Sequence, residues 1–339
     1  MADILPLRRD KADQPPIIDR LRSYFAEDLA AVEMLMRENM GSYVEMIPEI
    51  GSHIVKAGGK RLRPILTLAG AAITNYQGDK HISLAAAVEY MHTATLLHDD
   101  VVDDSDMRRG LPTARVRWGN TASVLVGDFM LGQAFRMMVA GDNLRALDVL
   151  STAAAVIAEG EVMQLSSLHN INITEDSYLR VVEAKTAALF AAAAEVGGVI
   201  AETDKTQIAA LRAYGRNLGI AFQLVDDALD YGDDESELGK NCGDDFREGK
   251  ITLPVILAVR RGPDAARAFW QRVIETPSDG ADDFAEARQH LINTHALDET
   301  LSRARHYGER ARDALALFPE TEIKSMLLDL VDFCIRRSY

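Results

Sequence analysis

The sequence predicts an all-α protein, and three features carry that expectation. Apolar residues recur at helical spacing along most of the chain, and no stretch of useful length alternates with the period of a strand. Alanine is abundant, whereas Gly and Pro collect at punctuation points. Two acidic clusters, Asp99, Asp100 and Asp103, then Asp226, Asp227 and Asp230, each follow a helix-like apolar run with the same i, i+1, i+4 spacing. On a helix the first and last of each set stack on one face, about 6 Å apart along the axis. Like charges so placed repel, and a hard divalent cation with oxygen ligands is the natural compensation.

Composition bounds the rest. The chain has 339 residues, 47% hydrophobic and 6% aromatic, enough for a large core. Residues 1–16 read as a flexible leader ending in Pro15-Pro16, and residues 17–339 as a single all-helical domain. A net charge of −15 argues against nucleic acid as a partner, because there is no basic field to displace phosphate counterions. Cys242 and Cys334 are the only cysteines, which gives no disulfide framework and fits a reducing compartment. Met1 to Gln14 lacks the apolar core of a signal peptide. The longest apolar stretch, Ala187 to Ala201, is interrupted by Glu195 and too short to span a bilayer. The expectation is a cytoplasmic protein with at most peripheral membrane contact.

In chain order, Ile18, Leu21, Phe25, Leu29, Val32, Leu35 and Met36 mark one helix from Ile17 to Asn39, and a second follows Gly41, running through Met46 and Ile50 to Val55. Gly58-Gly59-Lys60-Arg61-Leu62-Arg63-Pro64 follows. Its glycines permit close backbone approach, its cations sit near a helix start, and Pro64 suits the first turn of a helix reaching Asn75. Taken alone it reads equally well as a basic turn. The helix carrying Asp99 comes next, then Arg108-Arg109-Gly110, which can hold phosphates or simply pair with the acids. Long helices are expected over Gly119–Ala140 and Leu144–His169. Thr174 is an N-cap for the helix in which Lys185-Thr186 interrupts an apolar run. Another helix spans Asp204 to Asp230. Gly232 to Gly249 reads as a loop with a short helical turn, and Ile251 to Arg260 resumes a helix. Shorter amphipathic helices complete the chain, with loops at Thr276–Gly280 and His295–Asp298.

Two Asp clusters at the mouth of an apolar helical bundle suit one chemistry. Ionising an allylic diphosphate leaves pyrophosphate and a delocalised carbocation. Clamped cations with Lys and Arg stabilise the leaving group, and a dry apolar cavity shelters the cation beside a second substrate. With these pieces assembled, the chain resembles the trans-isoprenyl diphosphate synthase family, and within it the long-chain octaprenyl, solanesyl and decaprenyl diphosphate synthases. The resemblance runs from Met46 to the C-terminus and rests on DDVVD, DDALD, GGKRLRP, HTATLLHDD, RRG, KTAAL, FQLVDD and GDDFREGKITLP. One DDxxD is weak evidence; two in order with these flanks are strong.

The resemblance implies a bundle of long helices around a central cavity, usually a homodimer, with about three Mg²⁺ ions per site. It implies condensation of isopentenyl diphosphate onto an allylic primer, farnesyl or geranylgeranyl diphosphate, to give a long all-trans product. Ten isoprene units are the closest likeness, eight or nine the alternative, and a quinone side chain is the use such a product suggests. Asp99, Asp100 and Asp103 match the first metal motif, and Asp226, Asp227 and Asp230 the second. Lys60, Arg63, His92 and Arg109 match positions that bind isopentenyl diphosphate. Arg108, Lys185, Thr186, Gln223 and Lys240 match positions around the allylic diphosphate, with Lys250 in the same shell; Lys185 and the aspartates carry the catalytic assignment. Asp104 is an extra acid after the first motif, and the terminal Arg336-Arg337 resemble the basic tails that cap the homoallylic site in relatives, except that Ser338-Tyr339 follow them.

Product length depends on the wall one or more turns before the first motif, namely Thr95, Ala94, Met91, Tyr90 and Ala87. Short-chain relatives close the tunnel there with aromatics. Ala94 and Thr95 are small, which leaves it open and predicts a long product. Val124, Leu125 and Met163 are expected at its far end. Three rivals were weighed. A class I terpene cyclase lacks the GGKRLRP site and mixes Asn, Ser or Thr with Glu in its second motif. A non-catalytic synthase subunit loses one Asp cluster. A plain helical scaffold would leave both clusters solvated. The intact pair with its flanks disfavours all three.

Overall fold

The computed structural model describes residues 15–56, 58–232, 243–275 and 280–336, and over them the chain is helical apart from one small hairpin. The helices are α1 (Ile17–Tyr24), α2 (Ala26–Asn39), α3 (Met46–Lys56), α4 (Leu62–Ile73), α5 (Lys80–Val102), α6 (Ala114–Trp118), α7 (Asn120–Ala140), α8 (Leu144–Ser167), α9 (Glu175–Val182), α10 (Ala188–Ile200), α11 (Lys205–Leu229), α12 (Asp244–Arg247), α13 (Leu253–Arg261), α14 (Asp264–Glu275), α15 (Ala281–Asn293), α16 (Ala296–Ala314) and α17 (Glu322–Arg336). The all-α expectation holds.

Several starts follow from their caps. Asn143 Oδ1 accepts from the amide of Ala146 at 3.0 Å and Thr174 Oγ1 from that of Ser177 at 3.1 Å. Asp204 Oδ1 accepts from the amides of Thr206 and Gln207 at 2.8 and 3.0 Å. Each satisfies donors that a helix leaves open at its first turn. At the centre lies α10, almost wholly buried, against α4, α8 and α11. Glycine sets how closely it is approached. A Cβ at Gly197 would lie 2.3 Å from the Ala71 nitrogen, and one at Gly215 2.3 Å from the Phe190 carbonyl. The two long helices that carry the acidic clusters flank this wedge. α5 packs on α7, α4 and α2, and α11 packs on α10 and α16. Fully buried Tyr90, Tyr214, Phe190 and Trp270 anchor the interior, each contributing about 1.5–3 kcal/mol by burial.

Four boundaries differ from the sequence reading. The helix expected over Ile17–Asn39 breaks at Phe25 (φ −104°, ψ 26°). The break lets α1 pack on α17, tied by Arg20 Nη1 to Asp329 Oδ2 at 2.8 Å, while α2 packs on α5. A two-stranded antiparallel hairpin, β1 (Met107–Arg108) and β2 (Leu111–Pro112), stands where no strand was expected. Its turn residues Arg109 and Gly110 both have positive φ, 51° and 76°, the geometry of a two-residue hairpin turn. The loop expected at His295–Asp298 is already helix from Ala296, and α16 is nineteen residues long. Between α9 and α10, Glu183–Ala187 forms a single π-helical turn that carries Lys185 and Thr186.

α7, rather than the Ala187–Ala201 stretch, is the helix long and apolar enough, by length and composition, to cross a membrane among the described residues. It packs on α5 along one side, and Val124, Leu125 and Val139 are exposed along the other.

Candidate active site

The first acidic cluster lies at the C-terminal end of α5. Asp99 and Asp103 share a face and are each about 15% exposed, whereas Asp100 points away and is 2% exposed. Two lysines reach this face from other elements. Lys185 Nζ lies 2.9 Å from Glu161 Oε2 and 3.8 Å from Asp99 Oδ2. Lys250 Nζ lies 2.9 Å from Asp103 Oδ2 and 2.6 Å from Glu248 Oε2. Burial raises the pKa of Asp99 and so does Asp103, while Lys185 opposes them; Glu161 is raised in the same way by burial and by Asp99. Burial would lower Lys250, but Asp103, Asp245 and Glu248 outweigh it and hold it firmly charged. Asp100 instead accepts from Arg108 Nε at 2.7 Å, so one of the two hairpin arginines is braced on the acids. Asp104 pairs with Arg115 at 2.6 Å on the surface.

The second cluster ends α11. Asp227 is buried and held by two donors, the Tyr178 hydroxyl and Gln223 Nε2 at 2.8 Å. Thr186 Oγ1 in turn donates to Gln223 Oε1 at 2.9 Å, which joins the π turn to α11. Burial pushes Asp227 up to about 7, with Asp245 adding to it and Tyr178 and Gln223 opposing. Asp226 is half-buried and contributes to the field at Arg63. Asp230 turns toward the following loop, where it accepts from the amides of Asp244 and Asp245 at 3.2 and 3.1 Å.

The basic segment joins α3 to α4. Arg63 is half-buried, its guanidinium 4.7 Å from the Phe190 ring centroid, and its Nη1 lies 3.1 Å from His92 Nε2. Burial and the surrounding arginines hold His92 well below its ordinary value, so the ring is neutral, Nε2 accepts and the proton sits on Nδ1. Burial also lowers Arg63 to about 10. Lys60 Nζ lies 4.9 Å from the Phe333 ring centroid, which brings α17 over the segment. Arg109 reaches the same place, since a Cβ on Gly59 would lie 2.7 Å from Arg109 Nη1. Arg61 is salt-bridged to buried Glu89.

Of the expected tunnel residues, Ala87, Tyr90, Met91 and Ala94 are buried and Thr95 is half-buried. The Tyr90 hydroxyl donates to the Met36 carbonyl at 2.5 Å, which fixes that ring toward α2. Lys240, Cys242, Arg337 and the segment 1–14 lie outside the described residues.

Four residues near these groups are not marked as functional by the sequence: Glu89, Glu161, Tyr178 and Glu248. Each has its key partner on another element or across a turn. Only Glu161, an acid on an Ala/Val-rich helix, left a signal. One of its oxygens, Oε1, is buried without a partner. Among the described residues no three acidic or histidine side chains already converge on a point. The donors are nonetheless oxygen only: Asp99 and Asp103 share one face, and an orphaned carboxylate oxygen of Glu161 belongs to the same lysine-bridged group, which suits a hard divalent cation.

Residues 44–291 match the family model described as polyprenyl synthetase. The octaprenyl diphosphate synthase of Escherichia coli (strain K12) is 42% identical over 320 residues, 94% of this chain and 99% of that one. Among solved structures, a decaprenyl diphosphate synthase from Rhodobacter capsulatus superposes with a TM-score of 0.91 at 50% identity, covering 95% of this chain and 99% of the other. A polyprenyl synthase from Caulobacter crescentus CB15, complexed with calcium and isoprenyl diphosphate, gives a TM-score of 0.91 at 48% identity over 95% and 98% of the two chains. The chain belongs to the polyprenyl synthetase family and is a prenyltransferase.

Proposed function

We propose that the enzyme condenses isopentenyl diphosphate onto an allylic primer, farnesyl or geranylgeranyl diphosphate, to make a long all-trans polyprenyl diphosphate. Ten isoprene units fit best, and eight or nine are the alternative. Relatives named for octaprenyl and decaprenyl products, at 42% and 50% identity, support this range. The observation that carries the reading is the separation of two charged environments. Carboxylates and lysines meet where α5, α8, the π turn and the segment before α13 converge, while guanidiniums and a neutral imidazole gather at the start of α4.

Asp99, Asp103, Asp226, Asp227 and Asp230, with Asp100 behind, are the residues to hold about three Mg²⁺ ions, which would supply charge to the departing diphosphate. Lys185 and Lys250, charged and already beside carboxylates, orient the allylic diphosphate with Arg108, Thr186, Gln223 and Lys240. Thr186 donates to Gln223 and so fixes that amide before substrate arrives. Lys60, Arg63, His92 and Arg109 bind the second diphosphate, with His92 donating through Nδ1. The released pyrophosphate accepts the final proton, and the apolar α10 excludes water from the cation. The growing tail runs along Thr95, Ala94, Met91, Tyr90 and Ala87. We read residues 17–339 as one domain because the single helix α11 lends residues to both buried apolar clusters, Leu218 to one and Ile220 and Leu224 to the other. A homodimer accounts for the exposed apolar side of α7 together with Leu144, Val162 and Leu165 of α8. The cytoplasm is the proposed compartment and a quinone side chain the proposed use.

The test is product sizing. The purified protein is incubated with isopentenyl and farnesyl diphosphates and Mg²⁺, and the dephosphorylated alcohols are separated by chromatography. An end-point near ten units is expected. A short end-point would contradict the open wall at Ala94, and cyclised product without elongation would contradict the whole assignment.

A further inference from the structure

The start of α4 holds more guanidinium than it has anions to match. Four arginines, Arg61, Arg63, Arg108 and Arg109, crowd neutral His92 and depress its pKa. Two of the four are taken: Arg108 by Asp100 and Arg61 by Glu89. Arg63 and Arg109 form no salt bridge among the described residues. Glu89 is 6% exposed at its side chain and Arg61 16%, so this is a buried pair whose carboxylate has little water to fall back on. Glu89 sits on α5 three residues before His92 and so shares its side of the helix. Its field also opposes the loss of charge from both Arg63 and Arg109.

The backbone gives the pair its purpose. Arg61 has φ 53°, a left-handed conformation that a long side chain rarely adopts and that its surroundings must enforce. It is the residue immediately before α4, between Lys60 and Arg63. On the other side of the same turn, Arg22 Nη2 donates to the Gly59 carbonyl at 2.6 Å, and Arg109 Nη1 lies against Gly59, 2.7 Å from where a Cβ would stand. The segment is therefore pinned from α1, from the hairpin and from Glu89 beneath.

We propose that Glu89 is a positioning residue for the diphosphate of the homoallylic substrate. It holds Arg61 as a strut rather than a ligand, keeps the turn in its left-handed form, and so presents Arg63 and Arg109 as the guanidiniums open to phosphate. The inference rests on the reading of this segment as the isopentenyl diphosphate site.

The experiment compares Glu89→Gln, Arg61→Gln, the double variant and Arg63→Gln in the full-length enzyme, with separate KM values for isopentenyl and farnesyl diphosphates. Glu89→Gln and Arg61→Gln should each raise the KM for isopentenyl diphosphate about tenfold or more, as loss of one member of a buried pair does. The KM for farnesyl diphosphate and kcat should stay within about twofold, and the double variant should be no worse than either single one. A merely structural defect would move both KM values and kcat together. An unchanged or lowered KM for isopentenyl diphosphate in Glu89→Gln overturns the proposal. So does an Arg61→Gln defect far exceeding that of Glu89→Gln and additive with it, because Arg61 would then touch phosphate itself. Arg63→Gln separates the two levels: if it leaves that KM unchanged, the site assignment itself falls. If it raises the KM while Glu89→Gln does not, only the positioning role falls. Should Glu89→Gln fail to fold, Arg61→Lys keeps the charge and loses the fork; it should raise the same KM alone, and no rise would refute the strut.

Discussion

Removing one hydroxyl, in Tyr178→Phe, should move the pH profile of the enzyme. The Tyr178 hydroxyl donates to Asp227, whose pKa stands at about 7 because burial and Asp245 raise it while Tyr178 and Gln223 hold it down. A hydrogen bond to a charged group contributes about 1.5–3 kcal/mol, and 1.36 kcal/mol is one pKa unit. Losing this donor should therefore raise Asp227 by about one to two units. The proposed mechanism needs Asp227 ionised, so its active form is lost as pH falls through that pKa. The assay is kcat/KM for farnesyl diphosphate against pH at fixed Mg²⁺, which reports groups of the free enzyme. The acid limb should shift upward by about one to two units, cutting activity at pH 7 about five- to fiftyfold and leaving the alkaline plateau intact. An acid limb that stays in place while the plateau drops would refute the reasoning.

Three further outcomes follow from the same geometry. The carboxyl of Asp227 is raised above its unfolded value, so it detracts from stability once pH passes that unfolded value, increasingly up to about 7. Asp227→Asn should then raise the Tm of Mg²⁺-free protein at pH 8 but not at pH 4, measured by calorimetry, while abolishing turnover. A Cβ at Gly160 would lie 2.8 Å from both the Ala184 Cβ and the Lys185 nitrogen; Gly160→Ala should cost about 1–3 kcal/mol by overpacking and raise the KM for the allylic substrate, seen by denaturant titration and kinetics. Ala94 is five residues before Asp99, about 7–8 Å along α5, so Ala94→Phe should end elongation several isoprene units early, and an unchanged ladder in product chromatography would show that the tail runs elsewhere.

How far the sequence reached follows from how local each feature is. α5 and α11 were readable because an apolar run and its acidic end lie in one stretch of chain. The cap Thr174 was readable because its partner lies three residues on. The break at Phe25 was not, because the apolar spacing continues through it and only α17, near the other end of the chain, explains the turn. The hairpin escaped because each strand has two residues and its turn puts a non-glycine, Arg109, at positive φ. At the site, the residues with motif matches came together as groups, but their supports did not announce themselves. Tyr178 bonds to a residue forty-nine positions away. Glu89 sits in an ordinary helical sequence and matters only because Arg61 folds onto it.

The single π turn at Glu183–Ala187 separates two demands on one continuous rod. An α-helix is a screw of fixed phase, so any residue chosen for one side dictates which residues face that side a turn later. One wider turn resets the phase. Upstream of it, α9 aims Tyr178 at Asp227; within it, Lys185 and Thr186 face the acids and Gln223; downstream, α10 starts a new count that buries nearly every side chain against three helices. Changes that repack α10 therefore leave the aim of Lys185 undisturbed, whereas deleting one residue from the turn would rotate Lys185 and the core out of register with each other by about a quarter of a revolution.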